Sequence, residues 1–227
     1  MSLRDKNLLP NEYYHIYNRG NGKNDIFLDS EDYERFTKIL YIYNSENNFK
    51  FRDLITNQKI DAFDFERGNT LLNISAWVLM PNHFHLLVNS HRSDLWEENY
   101  NAITEYMRKV STSYAMYFNK KYKRSGSLFE GKFKSKHIGE ENYFNYIFAY
   151  IHLNPIKLIQ SNWKEGINNK EEVLKYLQDF SHSSFQECLR INRKEGKIIN
   201  INSWPENFSI SHPSEIFEWI ENHRSDL

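Results

Sequence analysis

The stretch Trp77-Val78-Leu79-Met80-Pro81-Asn82-His83-Phe84-His85-Leu86-Leu87-Val88 decides how the chain is read. Two apolar runs flank a Pro-Asn pair. Proline presets φ and asparagine tolerates a positive φ, so the pair suits the two central positions of a type II turn. The pattern predicts a strand over 73–80, a bend at Pro81-Asn82 and a buried strand from His83 to Val88. Strand side chains alternate faces, which sets Phe84, Leu86 and Val88 on one side and His83, His85 and Leu87 on the other. Two neighbouring imidazoles on one face can share a cation. With nine histidines in 227 residues, about one third of a His-x-His is expected per chain by chance. Two hydrogen-bonded core histidines would give the same pattern, so the tripeptide alone leaves both readings open.

Upstream, residues 12–18 (Glu12-Tyr13-Tyr14-His15-Ile16-Tyr17-Asn18) are rich in aromatic and β-branched types and run into Arg19-Gly20-Asn21-Gly22. They read as a strand followed by a loop. Asp29-Ser30-Glu31-Asp32 offers an N-cap with acids in the first turn, and Phe36, Ile39 and Leu40 supply the apolar stripe of a helix over 31–43. Residues 45–72 have no clear period and read as an insertion, a hairpin or loop, ahead of the strand at 73–80. Downstream, Leu95, Ile103, Met107, Val110, Tyr114 and Tyr117 recur at helical spacing over 95–123.

The composition then changes. From 120 to 136 there are seven basic residues, Lys120, Lys121, Lys123, Arg124, Lys132, Lys134 and Lys136, against the single acid Glu130. A charge run is by itself a solvated face. Cations interleaved with Phe129, Phe133 and small residues are also what a nucleic-acid groove needs, because cations neutralise phosphates and rings stack on unpaired bases. Residues 131–138 alternate like an edge strand, which would hold Lys132, Lys134 and Lys136 in a row. A helix over 140–154 follows, with Glu140 and Glu141 at its positive end and Pro155 as its stop. Its core stripe is Phe144, Phe148 and Ile151. Tyr143, Tyr146, Tyr150 and Asn154 fall on an adjoining face, with Tyr150 and Asn154 one turn apart.

Composition bounds the rest. The net charge of −1 does not select for or against an anionic partner, since a local patch can sit inside a balanced total. A single cysteine, Cys188, excludes an internal disulfide framework and a cysteine zinc cage, and fits a reducing, cytoplasmic setting. No run approaches a membrane span or a signal-peptide core, so no membrane partner is expected.

Four segments taken together resemble the single-tyrosine HUH transposases, in particular the REP-associated tyrosine transposase branch, or IS200-like transposases. They are Tyr14-His15-Ile16-Tyr17-Asn18-Arg19-Gly20, the run from Val78 to Leu87, the segment from Gly126 to Ser135, and Tyr150-Ile151-His152-Leu153-Asn154-Pro155. The resemblance implies an α+β, ferredoxin-like antiparallel sheet with helices packed on it over residues 1–160; residues 161–227 lie outside it and read as a C-terminal helical appendage that completes the core or contributes to DNA choice. It implies Tyr150 as nucleophile and His83, His85 and Asn154 as ligands of Mg²⁺ or Mn²⁺. Asn154 stands where some members carry glutamine. The substrate implied is single-stranded DNA beside a hairpin, cut and rejoined through a 5′-phosphotyrosine, by a monomer or homodimer. The basic segment 120–136 is then the expected DNA contact, with Arg19 and Lys23 as further candidates. A non-catalytic nucleic-acid-binding module and a phosphoesterase that activates water are the alternatives. Residues 170–179 and 214–223 read as further helices, with a Ser181-His182-Ser183-Ser184 loop and a break at Trp204-Pro205.

Overall fold

The computed structural model describes residues 8–48, 60–90, 101–206, 208, 210 and 212–221. Its first strand, β1, is Tyr13–Arg19, followed by helix α1, Ser30–Ile42, strands β2, Asn73–Met80, and β3, His83–Asn89, helix α2, Ala102–Lys121, strand β4, Lys134–Ile138, and helix α3, Glu141–Leu153. The sheet order is β2-β3-β1-β4, and every neighbouring pair is antiparallel. This β-α-β-β-α-β succession is the expected ferredoxin-like arrangement. Much of the insertion, residues 49–59, and the part of the expected second helix before residue 101 lie outside the described residues.

Alternation along the two central strands separates two apolar layers. Phe84, Leu86 and Val88 join Tyr14, Ile16, Trp77 and Leu79 against α1 and α2, where Phe36, Ile39, Met107, Val110 and Phe118 are buried. Leu87 joins Ala76, Val78 and Met80 against α3 on the opposite face, with Phe144, Phe148 and Ile151. A register shift between Ile74 and Ala76 turns Ile74 over to the first layer, where it sits with Trp77 and Leu79. A one-residue shift is what a bulge does to side-chain facing. Each such buried apolar side chain contributes about 1.5–3 kcal/mol. Helix α1 starts at Asp29, whose side chain accepts a hydrogen bond from the Asp32 amide, as the cap motif predicts.

Two local expectations need correction. Asn82 is not among the residues with positive φ, so the Pro81-Asn82 turn is not type II. Loop hydrogen bonds hold it in another form: Gly20 N–H donates to the Asn82 carbonyl at 2.8 Å, and Ile26 and Phe27 N–H donate to the Pro81 carbonyl at 2.8 and 3.0 Å. At the end of α3, Asn154 keeps helical angles (φ −54, ψ −38) despite the following proline, and the chain continues in a 3₁₀ turn, Asn154–Leu158. Pro155 takes one of the first positions of that turn, where its missing N–H is least costly.

The C-terminal residues are built into the core. Helices α4, Lys170–Asp179, α5, Phe185–Cys188, and α6, Glu215–Glu221, bring Val173, Leu177, Phe185, Ile216, Phe217 and Ile220 into the layer that holds α3. Residues 182–184 also cover the outer edge of β2. Leu79 N–H donates to the His182 carbonyl and Ser184 N–H to the Trp77 carbonyl, each at 2.9 Å. The Ser184 hydroxyl ties three elements: it accepts from Trp77 N–H at 2.8 Å and lies 2.8 Å from Nε2 of His152, whose Nδ1 is 2.9 Å from the Phe148 carbonyl. The other edge, β4, is blunted by Lys134 and Lys136. Ser184→Ala leaves a buried amide and imidazole without their partner and is expected to cost about 1–3 kcal/mol. A urea midpoint lowered with an unchanged slope would bear this out; an unchanged midpoint would show the tie to be dispensable.

Candidate active site on the histidine face

On the α3 side of the sheet, four sequence-predicted residues come together. The His83 and His85 rings lie 5.1 Å apart, and Nε2 of His83 is 3.3 Å from Oδ1 of Asn154. The Tyr150 ring is 5.5 Å from that of His85. The strand places the two imidazoles, and the four-residue helical spacing places the phenol and the carboxamide.

The hydrogen-bond network fixes which nitrogen of His83 carries the proton. Asn82 donates its amide to the Lys23 carbonyl at 3.1 Å, so its Oδ1 faces Nδ1 of His83, 2.6 Å away. An amide oxygen only accepts, so Nδ1 of His83 holds the hydrogen and Nε2 presents a lone pair. That lone pair meets the Asn154 oxygen, itself an acceptor. Two acceptors directed at one point are a natural seat for a cation. On His85, Nδ1 is 2.8 Å from Nε2 of His15, a third histidine from β1 whose ring stacks at 4.9 Å. If Nδ1 of His85 donates to His15, Nε2 of His85 is a free lone pair as well.

The electrostatics agree with ligand character. Burial pushes His15 down to about 3 and His83 to about 4, and holds His85 well below the ordinary imidazole value. All three rings are therefore neutral near pH 7, the form that binds metal. No group of three His, Cys, Asp or Glu side chains is gathered to hold a metal among the described residues. A cation here depends on the Asn154 carboxamide as third donor. Burial raises the Tyr150 phenol above its usual value, and a hydrogen bond with Asn154 draws it partway back. Asn154 thus meets His83 directly and acts electrostatically on the phenol one turn before it.

The basic residues divide. Lys134 pairs with Tyr17 and Lys136 with His15 across the sheet, so both share the histidine face, with Nζ of Lys136 4.5 Å from the Tyr143 ring centre. Lys132 precedes β4 and is exposed, which breaks the expected row of three. Lys120, Lys121, Lys123 and Arg124 sit at the end of α2, a helix that packs on the other side of the sheet. Lys121 is held there by Asp29, Asp32 and Glu31 at 2.7, 2.9 and 3.1 Å. Arg19 is opposite His83 in register, with its guanidinium paired to Glu130. Sequence reading assigned no role to His15, though it lies in a quoted motif, nor to Trp163 and Lys164, which approach the Tyr150 ring at 6.2 and 5.0 Å with no motif to announce them.

Residues 66–154, from ahead of β2 through the Tyr150 helix to Asn154, match the family described as transposase IS200-like. Over that segment the chain is similar to the IS200-like transposases. A solved structure of a REP-associated tyrosine transposase bound to a REP hairpin is similar in fold, with a TM-score of 0.50 and 13% identity over 92% of this chain and 100% of that one. No curated protein matches significantly. The IS200-like segment carries His83, His85, Tyr150 and Asn154; His15 lies outside it. No helix among the described residues is long and apolar enough to cross a membrane.

In Asn82→Ala, His83 loses the acceptor that selects its tautomer. Imidazole ¹⁵N shifts are expected to move from a dominant Nδ1–H form to a mixture, whereas unchanged shifts would mean that Asn82 does not set the ring.

Proposed function

We propose that the chain cuts and rejoins single-stranded DNA by transesterification, with Tyr150 as nucleophile and His83, His85 and Asn154 as the ligands of a divalent cation, Mg²⁺ or Mn²⁺. The observation that carries this is the approach of Nε2 of His83 to Oδ1 of Asn154, two lone pairs at 3.3 Å, with the Tyr150 ring 5.5 Å from that of His85. The cation, when bound, supplies charge that polarises the scissile phosphoryl group. Mn²⁺ suits the imidazole donors better than Mg²⁺, and both accept the amide oxygen.

Tyr150 Oη attacks phosphorus, the P–O3′ bond breaks, and the departing oxygen takes a proton to become a 3′-hydroxyl. A 5′-phosphotyrosine remains. Attack by a 3′-hydroxyl on that ester restores the DNA and the phenol, so rejoining needs no external energy source. Burial keeps the free phenol protonated. Its proton must therefore leave as the bond forms, and Asn154 N–H steadies the developing phenolate. Lys134 and Lys136 line the same face and serve the DNA backbone, with Tyr17 between them and His85. The relative bound to a REP hairpin supports a hairpin-flanked substrate.

Labelled single-stranded hairpin DNA incubated with the chain and Mn²⁺ is expected to give a covalent adduct on a denaturing gel, absent in Tyr150→Phe. Cleavage without an adduct would favour a water-activating phosphoesterase. Binding with neither would favour a non-catalytic module.

A further inference from the structure

One lysine beyond the sequence motifs stands against the Tyr150 ring, and a second follows Asn154 closely in the chain. Nζ of Lys164 is 5.0 Å from the centre of the Tyr150 ring. Its neighbour Trp163 is buried, with its ring 6.2 Å from the same phenol. Lys157 lies three residues past Asn154, in the 3₁₀ turn Asn154–Leu158 that leads away from the site. Their charges reach the histidines: Lys157 acts on His83 and Lys164 on His85, each adding to the dominant effect of burial. They also reach each other. Lys164 is lowered first by burial and then by Lys157.

Four other cations of the C-terminal region are paired with acids, while Lys175 and Arg190 have no ion pair among the described residues but do not approach the Tyr150 ring. Lys170 pairs with Glu221, Arg193 with Glu187, Lys194 with Asp61 and Lys197 with Asp64. Among the described residues neither Lys157 nor Lys164 has a carboxylate partner. Two like charges, one of them over the Tyr150 ring, thus lie by three uncharged imidazoles with no carboxylate paired to either among the described residues. Holding such a pair together is unfavourable until an anion arrives.

We propose that Lys157 and Lys164 form a phosphate-binding wall of the cleft and hold the phosphodiester backbone of single-stranded DNA at Tyr150. This rests on the DNA reading above and deepens it. It moves part of the backbone contact away from segment 120–136 to the turn after α3. Lysine suits the task as a compact point charge on a flexible stem, able to follow a phosphate as its geometry changes.

The test measures binding of a fluorescent single-stranded oligonucleotide with a hairpin flank across a KCl series, using the full chain. The parent is compared with Lys157→Gln/Lys164→Gln, with the double Lys→Arg variant, and with Lys120→Gln/Lys123→Gln at the far end of α2. The salt slope on single strands is about 0.7 per neutralised phosphate, so the double Gln variant is expected to lose about 1.4 from the slope and to bind more weakly at low salt. The Arg variant should keep the parent slope, and the α2 variant should lose less than the Gln pair. A double Gln variant with the parent's slope and affinity overturns the inference and leaves the transposase reading intact. A parent that binds no single-stranded DNA overturns both.

Discussion

Everything at the site depends on β3 being packed on both faces. With α1 and α2 over Phe84, Leu86 and Val88, and α3 over Leu87, the strand cannot slip by one residue without burying imidazoles in the first layer and exposing large apolar groups. Two hydrophobic layers thus do what no local preference could: they commit His83 and His85 to the face of the tyrosine helix. The register against β1 extends the constraint. Tyr17 pairs with His85 and Arg19 with His83, which brings His15, two residues from Tyr17, onto the same side to meet Nδ1 of His85.

The helix needs its own fixing, because one face of α3 carries all of the remaining chemistry. Tyr150 and Asn154 lie one turn apart, and His152 between them points to the core, where Ser184 binds it to the backbone of Trp77. The C-terminal region therefore sets where Tyr150 stands relative to the sheet. It also supplies Trp163 and Lys164 at the phenol. Burial then works in two directions on one cleft: it favours the neutral form of the imidazoles and the protonated form of the phenol.

Much of this was legible in the sequence wherever a short-range period governs the outcome. Two-residue alternation gave the facing of β3, and helical spacing gave the shared face of Tyr150 and Asn154. What was not legible depended on distant partners. The turn at Pro81-Asn82 is shaped by Gly20, Ile26 and Phe27, which donate to its carbonyls. Asn154 stays helical before a proline because a 3₁₀ turn continues the chain there. Lys121 reads as a free cation until Asp29, Glu31 and Asp32 arrive from α1. The segment 131–138 showed its alternation, but the strand starts at Lys134 and leaves Lys132 outside. His15 sat in a quoted motif with nothing local to say that its partner lay 70 residues away.

His83, His85 and Asn154 acting as one ligand set is a property that can be measured. It is tested most directly by counting bound Mn²⁺ by electron paramagnetic resonance in the DNA-free chain. One tightly bound ion per chain is expected, lost in His83→Ala/His85→Ala and held more tightly in Asn154→Asp, where a carboxylate replaces the amide oxygen. Undiminished binding of Mn²⁺ by the double histidine variant would contradict it.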